Sequence, residues 1–159
     1  MTESKILSRQ QAIEQADQWR ADGQPIVFTN GCFDIVHLGH VDYLEKARAF
    51  GQRLILGLNT DASVSGIKGP LRPVVNEYAR ARLMAALEFV DAVTLFGEPT
   101  PLELIRAIRP DILVKGNDYA VNTIVGANFV LARGGRVETV ALVPGYSTTQ
   151  LIERIKASY

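Results

Sequence analysis

Cysteine is all but missing from this sequence, with Cys32 the only one in 159 residues. A disulfide framework within the chain is therefore excluded, and a reducing, cytoplasmic setting is expected. Long apolar runs are missing too. No stretch approaches the ~20 residues that cross a bilayer, and Met1 to Gln11 is polar, without the apolar centre of a signal peptide. Neither sign of charge is in excess, with 17 basic and 17 acidic side chains. The basic surplus of a nucleic-acid binder is lacking, although a small anion needs only a few placed cations. Three glycine patterns are absent as well: Gly-x-Gly-x-x-Gly after a strand, Gly-x-x-x-x-Gly-Lys-Ser/Thr, and Gly-x-Ser-x-Gly. Dinucleotide-binding dehydrogenases, phosphate-loop NTPases and nucleophile-elbow hydrolases lose their sequence support with them.

What is present suffices for a core. Hydrophobic residues make up 47% and charged residues 21%, ordinary values for a globular chain, and a domain of this size buries about 70% of its unfolded surface. No linker, repeat or low-complexity stretch interrupts it. One domain over residues 1–159 is expected, with a helix at about 8–22 ahead of a catalytic core at about 25–159.

Ser8 and Gln11 have capping-box spacing, and Ala12, Ile13, Ala16 and Trp19 then recur at helical intervals up to Gly23. Strands are predicted at Pro25–Thr29, Leu54–Leu58, Ala92–Phe96, Ile112–Lys115 and Val137–Leu142. Helices are predicted at His40–Phe50, Glu77–Phe89, Pro101–Ile108, Ile124–Arg133 and from Ser147 onward. In them Leu83, Met84 and Leu87 face inward, as do Leu151, Ile152 and Ile155. Asn59 to Asn76 reads as a long polar stretch. Continuous apolar strands alternating with helices imply an α/β fold: a Rossmann-like, doubly wound, five-stranded parallel sheet with helices on both faces. Ligands of such sheets bind beyond the carboxyl ends of the strands.

Four polar segments follow strands, and so fall at that end. Asn30-Gly31-Cys32-Phe33-Asp34-Ile35-Val36-His37-Leu38-Gly39-His40 holds both histidines of the chain. Gly39 permits close backbone approach, and His40 lies near a helix N-terminus, where free amides favour an anion. Two imidazoles there suit the charge that builds on phosphorus during a displacement. A structural turn is the bland alternative, and a zinc site is starved of ligands. Gly66 to Pro73 carries Lys68 and Arg72, either phosphate-holding cations on a proline-stiffened loop or a solvated surface. Lys115-Gly116-Asn117-Asp118-Tyr119 ends a strand with a lysine that does not suit a core. Asp118 suits a ribose, a sugar hydroxyl or Mg²⁺, and a polar turn is the alternative. Ser147, Thr148 and Thr149 open the last helix, either as a phosphate cradle or as a cap. Cys32 itself reads as a small buried hydrophobe.

Gly31-x-Phe33-Asp34-x-x-His37-x-Gly39-His40 resembles the signature of the cytidylyltransferase-like nucleotidyltransferases. A closer resemblance, from about Ile26 onward, is to the heptose 1-phosphate adenylyltransferases within that family, in stand-alone form. It is carried by Arg72-Pro73-Val74, Thr100 to Ile105, Arg109-Pro110-Asp111, Leu113 to Gly116 and Gly145 to Thr149. Asn117, Val121 to Thr123 and Val75 to Ala79 depart from that branch.

The resemblance implies transfer of AMP from ATP, with Mg²⁺, to D-glycero-β-D-manno-heptose 1-phosphate, giving ADP-heptose for the lipopolysaccharide inner core. It implies catalytic roles for His37, His40 and Lys68. Nucleotide binding would fall to Asn30, Gly31, Cys32, Phe33, His37, Gly39, His40, Lys115, Gly116, Ser147, Thr148 and Thr149. Substrate binding would fall to Asp34, Lys68, Arg72, Asp118 and Tyr119. No metal ligands are identified, and a homodimer is expected. The histidine pattern leaves open a sister enzyme, such as a glycerol-3-phosphate cytidylyltransferase or a phosphopantetheine adenylyltransferase. A nucleotide-binding module without turnover also remains open.

Overall fold

A computed structural model describes residues 1–159. The strands are β1 (Ile6–Leu7), β2 (Ile26–Gly31), β3 (Arg53–Asn59), β4 (Ala92–Phe96), β5 (Ile112–Gly116) and β6 (Arg136–Val140). The helices are α1 (Arg9–Ala21), α2 (Leu38–Arg48), α3 (Asp61–Lys68), α4 (Glu77–Ala85), α5 (Leu102–Ile108), α6 (Ala127–Ala132) and α7 (Thr148–Ser158). The strands form one sheet in the order β1-β4-β3-β2-β5-β6, with every pairing parallel.

Successive strand residues point to opposite faces, so an unbroken apolar run feeds two cores at once. In β2, Val27 joins Leu54, Leu56, Leu58, Leu44 and Met84 on the α2 and α4 face. Its neighbours Ile26 and Phe28 join Ile55, Ala12, Leu104, Ile105 and Val130 on the α1, α5 and α6 face. From β2 the chain proceeds to β3 and β4 on one side, and β5 and β6 lie on the other. The direction of winding therefore reverses beside β2, and a crevice opens beyond its carboxyl end.

The sheet has six strands, not the expected five. Ile6 and Leu7 pair with Val93 and Thr94, a piece too short to leave a periodic pattern. The stretch 59–76 is not all loop. Thr60 accepts from the Ser63 amide and starts α3, so Gly66, Ile67 and Lys68 belong to a helix end. The Glu77 helix stops at Ala85, and Leu83 faces solvent with 46% exposure. The helix expected at 124–133 contracts to α6, behind a 3-10 turn at Val121–Thr123. The last strand ends at Val140. α7 buries none of its residues, and Ile155 is 53% exposed.

Candidate active site

β2 runs straight into the site. Its last residues, Asn30 and Gly31, are followed by Phe33 with φ 45°, a left-handed conformation rare outside glycine. That turn buries the Phe33 ring and the Asp34 carboxylate beneath the chain. His37 is the N-cap residue of α2, extended at φ −144° and ψ 172°, and its side chain makes no capping bond. His40 lies in the first turn, its amide bonded to the His37 carbonyl at 3.0 Å. The two imidazoles stack, with centroids 3.8 Å apart and planes 25° from parallel, and the edge of Phe33 meets His40 at 5.0 Å. Gly39 makes this stack possible. A Cβ there would lie 2.9 Å from His37 ring atoms and 3.2 Å from Tyr146 Cβ.

Both rings are neutral near pH 7. Burial lowers the His37 pKa, and burial, reinforced by the neighbouring His37, takes His40 down to about 4. Each therefore carries one N–H donor and one free lone pair. Four buried polar side-chain atoms lack a partner: Asn30 Oδ1, His37 Nδ1, His40 Nδ1 and Thr94 Oγ1. Unpaired buried polar atoms carry a free-energy cost. The residues that carry the first three, Asn30, His37 and His40, line a single cavity.

The cavity has a volume of about 510 Å³ and is lined by every site residue singled out from the sequence. One side follows β3 and β4 and presents Lys68, Arg72, Asn59, Phe96 and Pro99. The other follows β5 and β6 and presents Lys115, Gly116, Asp118, Tyr119, Leu142 and the start of α7. Asp118 and Tyr119 thus share a side with Lys115, whose ammonium lies 5.8 Å from the Tyr119 ring centre. Gly116 lets this corner close, since a Cβ there would meet Asp118 Oδ1 at 2.6 Å. Burial drops the Lys115 pKa to about 8, against the attraction of Asp118. Ser147 caps α7 by accepting from the Gln150 amide at 3.1 Å. The amides of Thr148 and Thr149 stand in the first turn, where the helix provides no acceptor.

Asp34, 1% exposed, is committed to the protein. It accepts from Arg72 Nε at 2.8 Å and from the Val74 and Val75 amides at 2.9 Å. Burial pushes its pKa up, but these donors outweigh that and leave it below the ordinary carboxylate value. Asp34 thereby fastens the 72–75 segment to the histidine loop.

Sequence reasoning missed Arg80. Its guanidinium is fully buried and donates to the carbonyls of Val75, Cys32 and Asn59 and to Asp61 Oδ1, at 2.8–2.9 Å. It sits one helical turn into α4, so its position alone suggested an ordinary solvated arginine. Tyr43 was missed too. It looks like a core aromatic, yet its hydroxyl shares a 2.7 Å bond with Thr29 beneath the cavity floor. Asn59, Phe96 and Pro99 were overlooked although each ends or follows a strand, the signal used for the other candidates.

No group of three or more His, Cys, Asp or Glu side chains converges to hold a metal. Of the two carboxylates in the cavity, Asp34 is spent and Asp118 stands alone. That set fits a Mg²⁺ that arrives on a polyphosphate and keeps waters and phosphate oxygens as its main ligands.

Residues 28–154 match the family described as Cytidylyltransferase-like. The chain is similar to the bifunctional protein HldE of Magnetococcus marinus, 57% identical over 153 residues, which are 96% of this chain and 31% of that protein. It is likewise similar to HldE of Caulobacter vibrioides, 56% identical over 155 residues, 98% and 32% of the two. The chain spans about a third of the length of these curated relatives. Among solved structures, a lipopolysaccharide core biosynthesis protein from Thermoplasma volcanium superposes with a TM-score of 0.60 at 28% identity, covering 76% of this chain and 98% of its own. Pantoate-beta-alanine ligase from Francisella tularensis, complexed with beta-gamma ATP and beta-alanine, superposes at 0.65 with 15% identity over 95% and 76% of the two chains. The second likeness is one of fold.

Proposed function

The chain belongs to the cytidylyltransferase-like family, and from that premise we propose that it transfers AMP from ATP to D-glycero-β-D-manno-heptose 1-phosphate. The carrying observation is the stacked, neutral His37–His40 pair at the switch point, which lines a cavity with cations on both sides. Two phosphate-bearing substrates need two such sets, with the reacting phosphorus between them. The similarity to HldE proteins and to a lipopolysaccharide core biosynthesis protein supports the sugar-phosphate acceptor.

In this reading the triphosphate lies on the β5–β6 side. Lys115 and the amides of Thr148 and Thr149 hold its oxygens, and the base rests near Tyr119 and Leu142. Asp118 and Tyr119 then serve the nucleotide, not the acceptor. Lys68 and Arg72 hold the acceptor phosphate, with Asp34 acting through Arg72. A phosphate oxygen of the acceptor forms a bond to the α-phosphorus as the bond to the bridging oxygen of pyrophosphate breaks, and the electron pair leaves with pyrophosphate. His37 and His40 donate N–H bonds to the α-phosphate oxygens as charge accumulates there. No side chain is needed as a nucleophile, because positioning and charge stabilisation carry the step. Bound Mg²⁺ would neutralise the polyphosphate. We further propose a cytoplasmic homodimer. No helix is long and apolar enough to cross a membrane, the half-exposed apolar face of α7 suits subunit contact, and light scattering on a sizing column tests the stoichiometry.

The deciding assay is pyrophosphate release with Mg²⁺, offering ATP and CTP in turn with heptose 1-phosphate, glycerol 3-phosphate and phosphopantetheine. Release with ATP and heptose 1-phosphate alone is expected. A different productive pair would reassign the acceptor, and no release with any pair would favour a binding module. His37→Ala should lower kcat by roughly 10²–10³, the usual cost of one lost transition-state donor, without unfolding the protein. Unchanged turnover would remove the assigned role.

A further inference from the structure

The acceptor side of the cavity has one neutral hydrogen-bonding side chain. Lys68 and Arg72 are cations, while Ile67, Phe96, Pro99 and Pro101 are apolar. The exception is Asn59, the last residue of β3. Cations suit the phosphate of a sugar phosphate, but its hydroxyls call for neutral partners, and buried polar contacts discriminate hydroxyls far better than apolar walls do.

Asn59 is built in firmly. It is 5% exposed while lining the cavity. Its Nδ2 donates to Ser63 Oγ at 2.9 Å, which fixes the amide and leaves Oδ1 to accept. Its backbone carbonyl takes the Arg80 Nη1 donor at 2.9 Å, and the same Nη1 donates to Cys32 in the histidine loop at 2.8 Å. Across the sheet Asn59 pairs in register with Phe96, whose carbonyl accepts from the Thr60 amide at 3.0 Å. The amide is thus held on a rigid strand end beside an apolar wall, as a preorganised recognition group should be.

We infer that Asn59 is a specificity-determining residue that accepts a hydrogen bond from one hydroxyl of the acceptor sugar, while Phe96 and Pro99 cover the C–H face of its ring. Ser63 is the positioning residue that holds the amide in place. The inference rests on the sugar-phosphate reading above and names the side chain that reads the sugar.

The test pairs protein variants with ligand variants. Wild type and Asn59→Ala are assayed with ATP, heptose 1-phosphate and a set of its monodeoxy analogues. Asn59→Ala should raise the acceptor KM roughly 5–10-fold, the scale of one neutral hydrogen bond, with the KM for ATP unchanged within about twofold. In wild type one particular deoxy analogue should show a penalty that Asn59→Ala abolishes, the other penalties standing. A merely structural role would weaken every acceptor by one common factor, and that result would overturn the inference. Ser63→Ala should give the same selective loss more weakly, and it serves if Asn59→Ala does not fold. A wild-type protein inactive with every sugar 1-phosphate would overturn the sugar-phosphate reading itself, and this inference with it. Activity of wild type with unaltered penalties in the variants would overturn this inference alone.

Discussion

The histidine pair depends on a residue with no side chain. A methyl group at position 39 would press on the His37 ring and on Tyr146, so Gly39→Ala should displace His37 and lower kcat in pyrophosphate-release assays while leaving the cores intact. A second residue-scale case lies outside the site. Thr94 Oγ1 is buried in the sheet without a partner, and exchanging an unsatisfied group for an apolar one of similar shape is neutral or stabilising. Thr94→Val should therefore hold or raise the melting temperature. A marked fall would mean that the hydroxyl has a partner. Lys115 supplies a pH test. Its ammonium is held at a pKa of about 8 by burial, so kcat/KM for ATP should fall as pH rises through about 8 and the cation is lost. Lys115→Arg keeps its charge and should move that limb to higher pH, and an unmoved limb would clear Lys115 of the role. His40 titrates near 4, so no acid limb near the ordinary histidine value of about 6.5 should come from it.

At the scale of elements, two buried charges join pieces that the sheet alone would leave loose. Asp34 fastens the 72–75 segment to the histidine loop, and Arg80 ties α4 to the ends of β2 and β3. Removing the Arg80 guanidinium strands those carbonyls, at roughly 1–3 kcal/mol for each buried acceptor left without a donor. Arg80→Met should lower the melting temperature markedly and raise KM for the acceptor, because the β3 side of the cavity is tied to the histidine loop through it. Asp34 gives a pH signature. Its folded pKa is depressed, so the stability it contributes is full above the ordinary carboxylate pKa and is lost as pH falls through the lowered value. Acid unfolding of Asp34→Asn should lack that component.

Across the whole molecule, the sheet order separates chemistry from support. The site residues gather at the carboxyl ends of β2 to β6, while β1 closes the β4 edge far along the sheet. Lys5 adds to that closure by donating to the carbonyls of Leu87 and Val90. Deleting residues 1–7 should lower the melting temperature by exposing the edge of β4, yet leave the His37–His40 geometry and its pH behaviour in place. Circular dichroism melts and activity on the same preparation would separate the two effects.

The sequence by itself determined which polar segments gather at one end of the sheet. Apolar runs that feed two cores, such as Ile26 to Phe28, mark buried parallel strands, and polar segments directly after them mark the ligand side. A local pattern suffices there because strand and motif are contiguous in the chain. Whatever depended on partners far apart in sequence was decided only by the tertiary structure. Ile6 and Leu7 are a strand because β4 lies beside them. Leu83 faces water because α4 turns its other side to the sheet. Arg80 is interior because carbonyls at Cys32, Asn59 and Val75 converge on it. The depressed pKa values of His40 and Lys115 come from burial. The composition of a motif cannot encode that burial, because the covering side chains come from the rest of the chain.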